Sequence, residues 1–311
     1  MHVTFSAESQ MRDKVVLITG PARGIGEAVA RRLVARGARV ALVGLESERL
    51  AQLARELGSA AAWYTADVTD QAALDSAVAA AAEHFGRLDV VITNAGIANM
   101  GTVAMVDIEA MARVIDVNVI GTMRTIKAAL PHIIAAKGYV LIVSSAAAFT
   151  ALPGMSAYAA SKAAVEQLAN VLRIEMLAHG VDVGSAHMSW VDTDMVRDVQ
   201  QDLSSFRRTL SQLPGPFGVV TPLAACTDAF VRACETRART VFVPGSLGVA
   251  SALRQLLNSG FLQRLMQPKM APMLTDAEAE MRAVGRAFGA NSMGMGESSA
   301  NDPTGAPETA R

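Results

Sequence analysis

Cysteine is nearly missing from this chain, with only Cys226 and Cys234 among 311 residues. Two thiols build no disulfide framework, and no His or Cys stands beside them at metal-ligand spacing. They read as small buried apolar side chains, and no metal site is expected. Charge is also scarce, at 18% of residues, and balanced, with 28 basic and 29 acidic side chains and a net charge of −1. So little charge excludes a disordered or fibrous chain. The balance excludes the electrostatic footprint of a general nucleic-acid binder. Residues 1–12 lack the apolar run of a secretion signal, so the expected location is cytoplasmic and reducing.

What is present in excess is apolar surface: 51% of residues are hydrophobic and the mean hydropathy is +0.29. The stretch 138–161 carries no charged residue and is long enough to span a bilayer. Its interior nevertheless reads Ser144-Ser145 and then Leu152-Pro153-Gly154-Met155-Ser156, turn chemistry that a lipid-spanning helix does not readily accommodate. A buried strand, a loop and a buried helix account for it, and no membrane span is expected.

The first half alternates. Short β-branched runs at 15–18, 40–43, 63–65 and 90–93 are separated by helical periodicity over 28–37, 47–58 and 70–85. A long helical stretch near 107–136, a run at 139–143, a helix over 157–179 and strands near 181–183 and 241–243 follow. Gly37 and Gly58 stand where C-terminal caps belong, and Asp70 and Asp107 where N-caps belong. Apolar strands alternating with amphipathic helices predict βαβ units: a doubly wound α/β fold with a parallel sheet covered on both faces. From Gly248 the texture changes. Leu253, Leu257, Phe261 and Leu265 recur every four residues, the spacing of one helix face. The end of the chain, 291–311, is Gly, Ser, Pro and polar residues and is expected to be a disordered tail.

The first strand ends in Thr19-Gly20-Pro21-Ala22-Arg23-Gly24-Ile25-Gly26. Glycine suits a tight turn whose backbone must approach a pyrophosphate and whose helix must lie close to the strand. Free N–H groups at the helix start, with the helix dipole behind them, then face the phosphates. Further along, Tyr158 and Lys162 are four residues apart and share one helix face. A nearby ammonium favours the phenolate, so Tyr158 is expected to titrate below its ordinary value and to act as general acid/base.

The spacing T-G-x-x-x-G-x-G, with these later motifs in order, resembles the short-chain dehydrogenase/reductase family. The resemblance runs from about Lys14 to Gly245. It implies a Rossmann-type fold and an NAD(P)-dependent oxidoreductase acting on a carbonyl or hydroxyl. It places Gly20, Arg23, Gly24, Ile25 and Gly26 at the cofactor, with Asp67-Val68 as the adenine-contacting pair. Asn94-Ala95-Gly96 matches the motif that lines the cofactor cleft. Asn118, Ser145, Tyr158 and Lys162 fall on the catalytic tetrad. In that reading Asn118 orders a water beside Lys162, Ser145 steadies the substrate oxygen, and Lys162 also bonds the nicotinamide ribose. Ser144 competes with Ser145, but the family spacing of thirteen residues to Tyr158 selects Ser145.

The family's acidic ribose-binding residue would fall at Gly44 and its frequent phosphate-binding arginine at Leu45, and neither determinant is present. Arg23 stands where family members often hold a 2′-phosphate, so NADP(H) is favoured over NAD(H), although nearby Glu46 offers a hydroxyl acceptor. Where the family writes Pro-Gly, this chain has Met188-Ser189. Thr193 still matches the position that bonds the nicotinamide amide, and the pocket there is expected to be shaped differently. His187 has no metal spacing and is expected to be structural.

Substrate contacts are expected from 99–103, 146–155 and 195–217: Ala147, Leu152, Met155 and Met195, together with Trp190, and with Phe149, Phe206, Leu210 and Phe217 as further apolar candidates. They predict a small apolar ketone or secondary alcohol, such as a lipid, a steroid-like or another cyclic molecule. A reductase of 3-oxoacyl thioesters is the alternative within the enzyme class; the extended C-terminus and Met188-Ser189 weigh against it. A catalytically idle dinucleotide sensor or scaffold is the alternative outside it; the complete Ser145, Tyr158 and Lys162 set weighs against that. The domain plan is a tail at 1–12, a dinucleotide-binding and catalytic domain at 13–247, a helical extension at 248–290 and the tail at 291–311. The extension packs on its own subunit or a dimer mate, caps the cleft, or lies on a membrane surface; its polar face is poor in Lys and Arg, which weighs against the membrane. A homodimer or homotetramer is the expected assembly.

Overall fold

The computed structural model describes residues 10–284 apart from 203 and 214; the tail expected over 291–311 lies outside the described residues. Seven strands form one sheet: β1 (Val15–Thr19), β2 (Arg39–Gly44), β3 (Ala61–Thr65), β4 (Val90–Thr93), β5 (Tyr139–Val143), β6 (Asp182–Met188) and β7 (Thr240–Val243). Their order is β3-β2-β1-β4-β5-β6-β7, and every pairing is parallel. Central strands β1, β4 and β5 are buried at every residue, as a sheet covered on both faces requires.

Alternation along β1 divides the core. Val15 and Leu17 face one layer, with Leu74 of α3 (Gln71–Phe85), Ile126 of α5 (Gly121–Ala136) and Val165 of α6 (Ser156–Glu175). Val16 and Ile18 face the other, with Leu33 of α1 (Gly24–Ala35), Leu50 of α2 (Ser47–Leu57) and Phe230 of α9 (Leu223–Thr236). Met11, assigned by sequence to the terminal segment, is 2% exposed and joins this second layer. The chain winds outward from β1 to β3, then returns to β4 beside β1. Ligands of such sheets bind in the crevice outside the carboxyl ends of the strands at that reversal.

Asp70 caps α3 as expected, accepting from the amides of Ala72 and Ala73, whereas Asp107 makes no side-chain cap. The long helix expected near 107–136 is interrupted. α4 (Ile108–Ile115) runs into a π-helical turn, Asp116–Ile120, before α5 begins. The single amphipathic helix expected after Gly248 is three: α10 (Leu247–Ala252), α11 (Arg254–Leu257) and α12 (Gly260–Val284). The stripe that suggested it is outward-facing, with Leu253, Phe261 and Leu265 between 48% and 77% exposed. α7 (Asp194–Asp202) and α8 (Ser204–Gln212) follow β6 and overhang the crevice. No helix among the described residues is long and apolar enough to cross a membrane.

Candidate active site

A cleft opens at the carboxyl ends of β1, β4, β5 and β6, and the glycine-rich turn forms its floor. Gly20 has φ +63°, and a Cβ there would lie 2.9 Å from the Cα of Ala95. At Gly26 a Cβ would lie 2.6 Å from Asn94 Nδ2 and 2.7 Å from the carbonyl of Gly20. Both positions therefore exclude any side chain. Asn94 clamps the turn, donating from Nδ2 to the carbonyls of Thr19 and Gly20, each at 3.0 Å. The Thr19 hydroxyl accepts from the amides of Asn94 and Ala95. Among the described residues no side chain caps α1, which leaves its first amides, at Gly24, Ile25 and Gly26, for a ligand. This glycine-shaped cradle fits a dinucleotide pyrophosphate.

Around this floor, Asp67, Val68, Gly96 and Thr193 all line the cleft. Asp67 accepts from the amide of Thr69 and lies 3.5 Å from Arg113. Thr193 stands over Gly24, where a Cβ would meet its Cγ2 at 3.6 Å. Arg23 is not simply open to a phosphate, since its Nη2 pairs with Glu46 Oε1 at 2.6 Å. That pairing joins residues 23 positions apart and was not expected from the sequence.

The four tetrad candidates converge. Asn118 sits in the π-helical turn, 1% exposed. Its Oδ1 accepts from the amide of Ile97 at 2.8 Å, and its Nδ2 donates to the Ile97 carbonyl and to Ser161 Oγ, each at 2.9 Å. A Cβ at Gly96 would sit 3.2 Å from Asn118 Oδ1 and 3.5 Å from Lys162 Nζ, so both groups look onto that glycine. Lys162 Nζ donates to the Val143 carbonyl at 3.0 Å. Ser145 Oγ accepts from the Ala147 amide and donates to the Met188 carbonyl at 3.3 Å, and Ser145 and Tyr158 line the same cleft. Ser144 turns the other way, fully buried, its hydroxyl spent on the Lys162 carbonyl.

Electrostatics correct one expectation. Burial raises the Tyr158 phenol above its ordinary value, opposed by the neighbouring Ser145 hydroxyl. Lys162 Nζ lies 5.5 Å from the centre of the Tyr158 ring, and burial brings its own pKa down to about 8. Desolvation thus outweighs the ammonium in the protein alone. His187 is buried between the carbonyl of Ser145 and the Ser185 hydroxyl, and burial lowers its pKa, so it stays neutral.

One end of the cleft is apolar. Ala147, Leu152, Met155, Trp190 and Met195 line it, as do Phe206 and Phe217. The Trp190 indole donates to the Phe217 carbonyl at 2.9 Å and meets the Phe206 ring edge-on at 4.8 Å. Phe149 does not line it; that ring points away, against His187 and Phe242. Leu210 is buried elsewhere. Met100, Thr150 and Val199 line the cleft but were not singled out; for Val199 the signal was its four-residue spacing from Met195 on α7. At the Met188-Ser189 departure β6 ends on Met188, and the Ser189 amide still donates to the Val243 carbonyl at 2.9 Å.

Residues 14–204 match the model of the short chain dehydrogenase family. An uncharacterized oxidoreductase of Staphylococcus epidermidis is 33% identical over 188 residues, 60% of this chain and 82% of that protein. Trans-4-hydroxycyclohexanecarboxylate dehydrogenase of Sinomonas cyclohexanicum is 32% identical over 214 residues, 66% of this chain and 80% of that protein. 2-(R)-hydroxypropyl-CoM dehydrogenase of Xanthobacter autotrophicus is 34% identical over 192 residues, 59% and 77% of the two chains. The sheet order, the glycine cradle and a family match over more than half of the chain lead to one conclusion: this protein belongs to the short-chain dehydrogenase/reductase family, NAD(P)-dependent oxidoreductases acting on CH–OH and C=O groups.

Proposed function

We propose that this chain transfers a hydride between NADP(H) and an apolar ketone or secondary alcohol, with Tyr158 as general acid/base. The observation that carries the reading is the convergence of the Tyr158 phenol and the Ser145 hydroxyl on the apolar end of the cleft, with Lys162 Nζ 5.5 Å from the centre of the Tyr158 ring. A carbonyl oxygen held between these two hydroxyls takes the proton of Tyr158 as its carbon is reduced; in the reverse direction Tyr158 takes the alcohol proton. Ser145 donates to the same oxygen and stabilises the charge that develops there. Nicotinamide, when bound, supplies the hydride acceptor or donor at C4.

The glycine turn, through Gly20, Gly24, Ile25 and Gly26, holds the pyrophosphate. Asp67, Val68, Asn94, Ala95 and Gly96 line the adenosine side, Lys162 bonds the nicotinamide ribose, and Thr193 the carboxamide. Asn118 fixes the Gly96–Ile97 backbone beside Lys162. Arg23 faces the ribose 2′-phosphate, which supports NADP(H), with Glu46 as its competitor. Ala147, Leu152, Met155, Trp190 and Met195 enclose the substrate. The basic residues lining the cleft, among the described residues, are Arg23, Arg113 and Lys162; none belongs to the substrate end, so a carboxylate finds no clamp there. Two relatives named for dehydrogenating hydroxylated compounds support an alcohol–ketone pair, and the apolar walls support a cyclic or lipid-like one. The catalytic unit in this reading spans 13–247, with 248–290 as its extension.

The same reading includes a second copy of the chain. A groove between α5 and α6 is lined by Met123, Ile126, Leu130 and Leu168, and Val171 and Ile174 of α6 are 45% and 71% exposed. Exposed apolar surface of this kind favours self-association.

The test is the consumption of NADPH with a panel of cyclic and linear ketones. The wild-type protein is expected to turn over at least one. Tyr158→Phe is expected to lose about 10²- to 10⁴-fold in rate while binding NADPH unchanged. A protein that binds NADPH and reduces none of them is a sensor, and Tyr158→Phe at full rate removes Tyr158 from the chemistry.

A further inference from the structure

The C-terminal extension reaches back to the substrate end and braces it from behind. Glu278 of α12 accepts a hydrogen bond from Thr102 Oγ1 at 3.0 Å. Met281, three residues on, stands against two loops at once. A Cβ at Gly154 would lie 3.4 Å from its Cε, and one at Gly101 would lie 4.0 Å from its Sδ. α8 joins the same helix, with Arg208 Nη2 3.5 Å from Glu280 and 3.8 Å from Asp276.

The far side of these elements is the substrate wall. Met100 adjoins Gly101, Leu152 and Met155 flank Gly154, and Phe206 lies on α8; all four line the cleft. The two loops are tied to each other, the Gly101 amide donating to the Gly154 carbonyl at 2.9 Å. The extension is itself anchored to the catalytic helix. Arg254 bonds both carboxylate oxygens of Glu166, at 2.9 and 3.4 Å, one turn beyond Lys162. Asn258 donates to the Phe149 carbonyl at 3.2 Å.

The braced loops also hold unspent polar groups. Neither end of the fully buried Asn99 amide, nor the shielded Ser156 hydroxyl, has a hydrogen-bond partner among the described residues. A buried polar group gains by acquiring a partner, so this wall has an incentive to resettle when the cleft fills.

We propose that Met281 and Glu278 are specificity-determining residues: by fixing how far the loops at 99–106 and 150–155 stand back, they set the size of the ketone or alcohol admitted. The proposal rests on the oxidoreductase reading above. Neither residue touches the reacting atoms; both act through Met100, Leu152 and Met155. Methionine suits the place, since its unbranched thioether fills irregular gaps between loops.

The experiment uses the full chain with Met281→Ala, Met281→Trp and the conservative Met281→Leu. Leu265→Ser serves as a control at a 68% exposed site on the same helix. At saturating NADPH, kcat/KM is measured for cyclohexanone, tert-butylcyclohexanone and decalone, and the NADPH Kd by cofactor fluorescence. Met281→Ala is expected to raise the decalone-to-cyclohexanone ratio about tenfold, the lower end of a hydrophobic-pocket effect. Met281→Trp lowers it, Met281→Leu and Leu265→Ser leave it alone, and the NADPH Kd stays constant throughout. A ratio unmoved by both Ala and Trp, or a uniform loss for every ketone together with NADPH, overturns the proposal.

Amide hydrogen exchange with NADPH present separates it from the reading it rests on. Met281→Ala and Glu278→Ala are expected to speed exchange in 99–106 and 150–156 and to spare β4. Unchanged exchange in those loops overturns the brace. Faster exchange in a protein that reduces no ketone keeps the brace and overturns the oxidoreductase reading.

Discussion

Arg23 and Glu46 meet at 2.6 Å across the cleft, one immediately before α1 and the other immediately before α2. In the NADP(H) reading proposed above, the carboxylate competes with a 2′-phosphate for the guanidinium, so the two residues pull cofactor choice in opposite directions. Charge-assisted hydrogen bonds contribute roughly 1.5–3 kcal/mol, or about 10- to 100-fold in affinity. Arg23→Ala is expected to weaken NADPH by that factor and to leave NADH nearly untouched. Glu46→Gln is expected to tighten NADPH. Fluorescence titration with both cofactors decides it; equal losses for NADPH and NADH would mean that Arg23 serves a group common to both.

Gly26 and Gly245 make a controlled pair. A methyl at Gly26 collides with backbone as well as with Asn94, whereas a Cβ at Gly245 would meet no atom of the described residues beyond its chain neighbours within 4 Å, and its φ is ordinary. Gly26→Ala is expected to cost about 1–3 kcal/mol by overpacking and to weaken cofactor binding. Gly245→Ala is expected to be neutral or stabilising by up to about 1 kcal/mol. Urea titration of the two variants gives the comparison directly.

Lys162 should leave a signature in the pH dependence of stability. Burial lowers it from 10.5 to about 8, so between those values the unfolded chain binds the extra proton and stability rises with pH. Cys226 and Cys234, pushed up to about 12 by burial, act oppositely: unfolded thiols lose protons above 9 and stability falls. The difference between wild type and Lys162→Met isolates the lysine. It should change by about 3 kcal/mol across that interval; parallel profiles would mean that Lys162 titrates normally.

Ile174 projects from α6 with 71% of its surface exposed, beside the α5–α6 groove. Ile174→Asp is expected to shift the protein to monomer in sedimentation velocity without lowering its thermal midpoint as a monomer. An unchanged sedimentation coefficient would place any interface elsewhere.

What the sequence made legible was local. The glycine turn, Asn94 and the Tyr158–Lys162 pair each occupy a short segment, and alternation of strand and helix sufficed for the sheet. What stayed hidden was long-range or a matter of phase. Nothing in the string couples Arg23 to Glu46, or Glu278 to Thr102, because those pairs exist only once helices are placed. Phe149 was assigned to the substrate wall by composition, but the short 3₁₀ turn at Ala146–Ala148 sends it toward His187. The break after α11 was masked by a four-residue apolar repeat that runs straight through Asn258 and Ser259.

The π-helical turn at Asp116–Ile120 carries a consequence for the core as well as for Asn118. It absorbs one extra residue within a helical run, so α4 and α5 keep their phase on either side of it. Removing a single residue there would restore regular winding and leave Ile126, Ala129 and Ile133 of α5 facing the sheet, while Asn118 lost its place beside Ile97. A one-residue deletion in this turn is therefore expected to undo the site and spare the hydrophobic layer behind it.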